Sequence, residues 1–321
     1  MTAPDYTSLL DDEVRTFISN TRSFYPDRGQ PPTLSERRAD FEAVCAGFAV
    51  PYPEGLKIYD TKIANGQRPI AVRWYMPTGS VAKIADITPV VIYFHGGGFV
   101  LGGLESHDSI VADLAHGTGL TVMAVDYALA PEHRFPEACE DALKSVQSCL
   151  NKGTVRQIIL AGDSAGAWLA DYVARHLSQQ RELQLLGQLM VYPLLGGDMT
   201  KGSYVIHKDA PLLTTQDIVW FYKQFFGPDK TTWPIGPLME TAFSELPPTV
   251  IFAAEYDPLH DDGLAYARAI TSAGGKAVCI SEEGLVHGYL RGRHSVNRIK
   301  ESFTQMIAAL RHLAKQNWPY S

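Results

Sequence analysis

Cysteine is scarce. Cys45, Cys139, Cys149 and Cys279 are the four cysteines of the 321 residues. They show no C-x-x-C spacing, so neither a disulfide framework nor a zinc site is expected. Reduced thiols suit the cytoplasm. Long apolar runs are missing as well: Val90–Phe94 and Leu120–Val125 fall far short of the roughly 20 residues a membrane span needs. The first ten residues have no basic start and no apolar stretch, so no signal peptide is expected. Positive charge is not in excess, with 28 Lys+Arg against 35 Asp+Glu and a net charge of -7. That balance gives no general attraction to nucleic acid or to an anionic membrane. Internal repeats and low-complexity stretches are absent. What remains is a cytoplasmic globular chain, 45% hydrophobic, with enough apolar residues for a large core.

The hydrophobic pattern divides the chain. Residues 1–48 read as a helical cap segment; Thr33-Leu-Ser-Glu36 is a capping box, followed by Leu34, Phe41, Val44 and Cys45 at helical spacing. Pro51 and Pro53 end it. Two strand runs, Leu56–Ala64 and Ile70–Met76, flank Asn65-Gly66, a pair that favours a tight hairpin turn. Thereafter short apolar runs alternate with helical segments: Val90–Phe94, Leu120–Val125, Ile158–Ala161, Gln188–Tyr192, Thr249–Ala254 and Ala277–Ser281. Runs apolar on both faces predict a mostly parallel, doubly covered sheet, a mixed α/β sheet of about eight strands once the hairpin is added. Residues 195–246 break the rhythm with glycines, prolines and the aromatic helical patch 218–226, and are expected to form a cap or lid. The core is then 49–194 and 247–321.

Two local patterns carry chemistry. Gly162-Asp163-Ser164-Ala165-Gly166 lies between a strand and a helix, the setting in which a G-x-S-x-G turn exposes a nucleophilic serine. His95-Gly96-Gly97-Gly98 directly follows the strand Val90–Phe94, and its backbone N–H groups suit the stabilisation of a developing oxyanion. Gly96, Gly97 and Ala165 are the expected donors. A phosphate loop is excluded, since no G-x-G-x-x-G or Gly-Lys-Ser/Thr is present. The serine needs a base, and the base needs an orienting acid, in the chain order Ser, acid, His. Asp257, just past the strand Thr249–Ala254 and stiffened by Pro258, is the expected acid, with Glu255 the alternative. Asp261 and Asp262 are expected to cap the next helix. Of the ten histidines, His107, His116 and His176 sit in helical runs, and His133 and His207 precede the acid. His260 is too near Asp257 to fold back, and His312 is in the terminal helix. His287, in a loop before Gly288, is therefore the expected base, ahead of His294.

With these residues assembled, the chain resembles the hormone-sensitive lipase family of α/β-hydrolases and is most similar to its short bacterial acetyl esterases. The resemblance runs from about Ile70 onward and rests on five motifs in order. They are His95 to Phe99; Asp126 to His133 with Phe135-Pro136; Gly162 to Gly166; Asp257 to Asp262; and His287-Gly288. It implies an α/β-hydrolase fold with a helical cap. It also implies Ser164 as nucleophile, Asp257 as acid, His287 as base, and Gly96, Gly97 and Ala165 as oxyanion donors. The substrates it implies are short-chain acyl esters, acetyl to about octanoyl. Ala128, where many relatives have Arg, and Ala167-Trp168 after the elbow depart from the pattern and bear on substrate preference. Glu132 and Glu137 are expected to tie loops near the site.

Phe99, Trp168, Tyr192, Tyr204, Phe225 and Tyr289 are candidate substrate-binding residues, about half of them expected to line an acyl slot. No metal and no cofactor are expected, as no H-E-x-x-H or similar cluster occurs. A small-molecule ester is the expected partner, with neither nucleic acid nor membrane. A homodimer follows only from symmetry base rates, and a regulatory protein contact stays open. Two competing readings remain: amide, carbamate or formamide hydrolysis by the same triad, and a ligand receptor built on this fold. His287 argues against the receptor.

Overall fold

The computed structural model describes residues 4–66, 68–78, 89–151, 155–177, 184–228 and 236–320. Among these residues, eight strands form one sheet in the order β1-β2-β4-β3-β5-β6-β7-β8. The strands are β1 (Leu56–Ile63), β2 (Ile70–Pro77), β3 (Val90–Phe94), β4 (Thr121–Asp126), β5 (Gln157–Asp163), β6 (Gln184–Val191), β7 (Thr249–Tyr256) and β8 (Ala277–Val286). β1 pairs antiparallel with β2, and β2 antiparallel with β4. Every other pairing is parallel. All six strands expected after residue 89 form, mostly longer than their apolar runs. The hairpin forms too, with Ile63 opposite Ile70. Its connection is wider than a two-residue turn: the strands stop short of Asn65-Gly66, although Gly66 keeps the expected positive φ of 54°.

The all-apolar strands lie in the middle. Each residue of β3 is buried, whereas β1, at the sheet edge, alternates and is largely exposed. Helices α5 (Glu137–Asn151), α6 (Ala165–Leu177) and α9 (His260–Ser272) pack on one face. Helices α4 (Leu104–Thr118) and α10 (Asn297–Ala314) pack on the other. A fully buried Val or Ile contributes roughly 1.5–3 kcal/mol, so these two cores hold the helices on the faces of the sheet.

The N-terminal residues form α1 (Tyr6–Leu9), α2 (Asp12–Arg22) and α3 (Leu34–Gly47). The capping box at α3 is present as expected: the Glu36 N–H donates to Thr33 Oγ1, and Thr33 N–H donates to Glu36 Oε2. Within 195–246 lie α7 (Ser203–Ile206) and α8 (Thr215–Phe226). The two segments meet: the Arg37 guanidinium lies 4.5 Å over the Trp220 ring, and Tyr6 Oη is 3.0 Å from His207 Nδ1. Arg38 anchors α3 to the core, donating to Val100 O, Ala130 O and both carboxylate oxygens of Glu132. Glu132 thus ties loops together as expected, and Glu137 holds His133 at 2.7 Å. Among the described residues, no helix is long and apolar enough to cross a membrane.

Candidate active site

Ser164 sits between β5 and α6 with φ 51°, a backbone region that L residues seldom occupy. Its N–H donates to Val191 O at 2.9 Å, which holds the turn. The turn closes so tightly that side chains beside it have no room. A Cβ on Gly166 would lie 2.0 Å from Phe94 O, and one on Gly162 would lie 2.5 Å from the Gly166 carbonyl.

His287 and Asp257 reach the serine from two neighbouring strands. β8 runs to Val286, beyond the expected Ser281, so His287 follows the strand directly. Asp257 follows β7 just as directly. His287 Nδ1 is 2.6 Å from Asp257 Oδ2, and His287 Nε2 is 3.1 Å from Ser164 Oγ. A carboxylate only accepts hydrogen bonds. The Nδ1 proton therefore goes to Asp257, which leaves the Nε2 lone pair facing the serine hydroxyl. Asp257 is fully buried, and its other oxygen accepts the Leu259 N–H at 2.9 Å. The alternative acid Glu255 is engaged elsewhere, accepting the Gly284 N–H at 2.7 Å. His294 pairs with Asp113, and His260 lies against Ser281 Oγ.

Two expectations need correction here. Asp261 and Asp262 do not cap α9, whose N-terminus has no side-chain cap. Asp262 Oδ2 instead accepts the Leu195 and Gly197 N–H groups and the Tyr204 hydroxyl. Asp261 accepts the Ser203 N–H. Both carboxylates fasten the start of the 195–246 segment, a stronger call on them than a helix end open to water. Burial pushes the Asp262 carboxyl up to about 7, against the donors that hold it.

The second correction concerns Gly96. Its N–H donates to Asp163 Oδ1 at 2.9 Å and is not available to a ligand. Among the described residues, no acceptor takes the N–H of Gly97 or Gly98, nor that of Ala165 at the first turn of α6. Gly97, Gly98 and Ser164 line one cavity. His95 stays out of that cavity. Its Nδ1–H donates to Gly96 O at 2.7 Å, and its ring stacks on Tyr127 at 4.3 Å. Burial pushes His95 down to about 3, so it is neutral and serves to shape the loop.

Sequence reasoning missed Asp163. It is buried beside Ser164 and takes four donors: Gly96 N–H and Tyr93 Oη on Oδ1, with His107 Nε2 and Tyr192 Oη on Oδ2. Burial alone raises a carboxyl's pKa, but His107, Tyr93 and Arg291 outweigh it and hold Asp163 below the usual carboxylate range. A buried carboxylate thus clamps the His-Gly-Gly-Gly loop to the strand that carries the serine.

The cavity holds about 140 Å³, the order of volume that admits a benzene-sized guest. Of the six aromatic candidates only Tyr192 lines it. The other five are core. Phe99 stacks on Phe225 at 3.9 Å and meets Trp168 edge-on. Tyr204 is tied to Asp262, and the Tyr289 hydroxyl is 3.1 Å from Ser302 Oγ. Aromatic edges and faces satisfied by one another leave nothing for a ligand. The apolar wall comes instead from Phe17, Phe41 and Val44 of the N-terminal helices and from Leu213, Ile218 and Phe221 of the 195–246 segment. The signal for these was the helical spacing of their apolar faces, which says that they bury something but not what.

This geometry, a serine elbow on a mostly parallel sheet with a histidine and a carboxylate behind it, defines an α/β-hydrolase. Comparison with known proteins agrees. A family model described as the alpha/beta hydrolase fold matches residues 91–291. Esterase LipI of Mycobacterium tuberculosis is 34% identical over 81% of this chain and 83% of its own. Ethyl acetate hydrolase of Pseudomonas putida is 32% identical over 86% of this chain and 89% of its own. The hyperthermophilic esterase of the archaeon Pyrobaculum calidifontis superposes with TM-score 0.83 at 31% identity, over 95% of this chain and 99% of that one. The chain belongs to the α/β-hydrolase family, in its hormone-sensitive-lipase-like branch of carboxylic ester hydrolases.

Proposed function

We propose that the protein is a serine carboxylesterase for short-chain acyl esters, acetyl to about octanoyl, working through an acyl-enzyme. The Ser164–His287–Asp257 hydrogen-bond chain on the cavity wall carries this reading. His287 Nε2 takes the Ser164 proton as Oγ attacks the ester carbonyl. Asp257 keeps the ring in the tautomer that makes this possible and stabilises the imidazolium. The oxyanion rests on the N–H groups of Gly97, Gly98 and Ala165, the last at the positive end of α6. His287 returns its proton to the departing alcohol. Water then attacks the acyl-enzyme by the same relay, releasing the acid.

The cavity volume of about 140 Å³, the order that admits a benzene-sized guest, supports the short end of the range. Residues 1–48 and 195–246 act together as the cap, which the Arg37–Trp220 and Tyr6–His207 contacts support. Cys45, Cys139, Cys149 and Cys279 form no disulfide among the described residues, which supports a cytoplasmic location.

Covalent labelling tests the nucleophile. Diethyl p-nitrophenyl phosphate is expected to release one p-nitrophenol per chain and leave a diethylphosphoryl adduct on the Ser164 peptide. An adduct on another residue, or none on an active enzyme, contradicts the assignment. For the acid, Asp257→Asn is expected to lower kcat by about 10⁴-fold, while Glu255→Gln stays within about threefold, because its amide oxygen can still accept the Gly284 N–H. The reverse order of effects would transfer the role to Glu255.

A further inference from the structure

One side chain in the cavity wall has no use in this chemistry. Arg291 lines the same cavity as Ser164 and His287 and is only 9% exposed. A guanidinium offers five N–H donors in a rigid fork. Nη2 of Arg291 donates to Cys45 Sγ at 3.1 Å, and the group lies 4.9 Å over the Phe41 ring. Its buried Nε meets no acceptor. Among the described residues, no carboxylate pairs with it. A thiol sulfur is a weak acceptor, so the charge is poorly served.

The contrast with Arg293 is direct. That residue is buried as well, but its Nε donates to Asp113 at 2.6 Å and its Nη2 to Ser109 at 3.0 Å. Asp163 does not supply the missing partner, since its oxygens are taken by Gly96, Tyr93, His107 and Tyr192. It feels the Arg291 charge only at a distance. His107 does not supply it either, since its two ring nitrogens face Asp163 Oδ2 and Ser106 Oγ. Burying an unpaired cation is costly unless something arrives to pair with it. The fork of an arginine fits a carboxylate in two parallel hydrogen bonds.

We propose that Arg291 receives the carboxylate of an anionic substrate. The substrate class is then a short ester carrying a carboxylate a few bonds from the reacting carbonyl, either a dicarboxylic acid monoester or an O-acyl hydroxy acid. The proposal rests on the esterase reading and deepens it. The bond changes are those of ordinary ester hydrolysis: water adds, the acyl C–O bond breaks, and an acid and an alcohol leave. A four-carbon dicarboxylate matches the size of the cavity.

Two matched ester pairs test it, each comparing an anion with a neutral ester of similar shape. Monomethyl succinate against methyl pentanoate places the carboxylate on the acyl side. Acetoxyacetate against propyl acetate places it on the alcohol side. The expected result is a kcat/KM preference for the anion in one pair, on the order of 10- to 100-fold, the worth of a hydrogen bond to a charged group. The pair that shows it names the side. Arg291→Met is expected to erase that preference and Arg291→Lys to restore part of it. If the variants fail to fold, the wild-type enzyme still decides. Succinate should inhibit p-nitrophenyl acetate hydrolysis competitively, and succinamide should not. Preference for the neutral ester in both pairs, with no inhibition by succinate, overturns the proposal. Failure to hydrolyse any of these esters overturns the esterase reading instead. Calorimetric binding of succinate to the wild-type protein would then still support the carboxylate site, and absence of that binding would remove it too.

Discussion

Ser164→Ala and His287→Ala each lower kcat by about 10⁵- to 10⁶-fold, and the double variant is barely worse than either single one. The reason is the single relay. Ser164 Oγ meets one base, His287 Nε2, at 3.1 Å, and that base is oriented by one carboxylate at 2.6 Å. Removing either member stops the same proton transfer, so the losses do not add. What remains is the rate supplied by substrate binding and by the free N–H groups of Gly97, Gly98 and Ala165. Both variants keep the fold. The Ser164 N–H bond to Val191 O and the close contacts of Gly162 and Gly166 hold the turn without the hydroxyl. Turnover of p-nitrophenyl acetate together with thermal melting checks both halves of the expectation. Losses that multiply in the double variant would mean two independent catalytic groups.

Asp163→Ala destabilises the protein by about 3–5 kcal/mol, the usual cost of removing one side of a buried charged network. The truncation strands the Gly96 N–H, two tyrosine hydroxyls and His107, all of them buried. Activity falls with stability, because the freed loop is the one that carries Gly97 and Gly98. Asp163→Asn is milder. Its amide oxygen still serves Gly96 and Tyr93, but its NH₂ group faces the donors on the other side. The pH dependence has a fixed sign. The folded-state pKa lies below the unfolded value, so the stabilisation is present above the usual carboxylate range and is lost as pH falls through it. The stability gap between wild type and Asp163→Asn is therefore constant at neutral pH and narrows below about pH 4. Urea titrations at stepped pH measure that gap. A gap that stays unchanged in acid would mean that Asp163 is not ionised in the folded protein.

Much of this arrangement could be read before the fold was known, and the limits have physical causes. The elbow and the His-Gly-Gly-Gly loop are short runs of adjacent residues, and Gly97, Gly162 and Gly166 are required because backbone passes within about 2 to 3 Å of where their Cβ would sit. Asp257 and His287 were found because each follows a strand end in the required chain order. Gly96 was misassigned because the oxygen that takes its N–H belongs to Asp163, 67 residues away. Of the six aromatic candidates, about half were expected to line an acyl slot and Tyr192 alone does; the other five pack on one another or on the core, since ring size shows that a side chain is buried but not against what. Asp261 and Asp262 look like helix caps in sequence, yet they are drawn to the start of the 195–246 segment, a contact that only the tertiary fold creates. The cavity wall supplied by α2 and α3 and the unpaired Arg291 were hidden for the same reason.

The most direct test of the central claim is steady-state hydrolysis of p-nitrophenyl esters from acetate to palmitate, with Ser164→Ala assayed in parallel. The account predicts turnover that peaks at short acyl chains and vanishes in the variant. Turnover that peaks at palmitate, or that survives in Ser164→Ala, would contradict it.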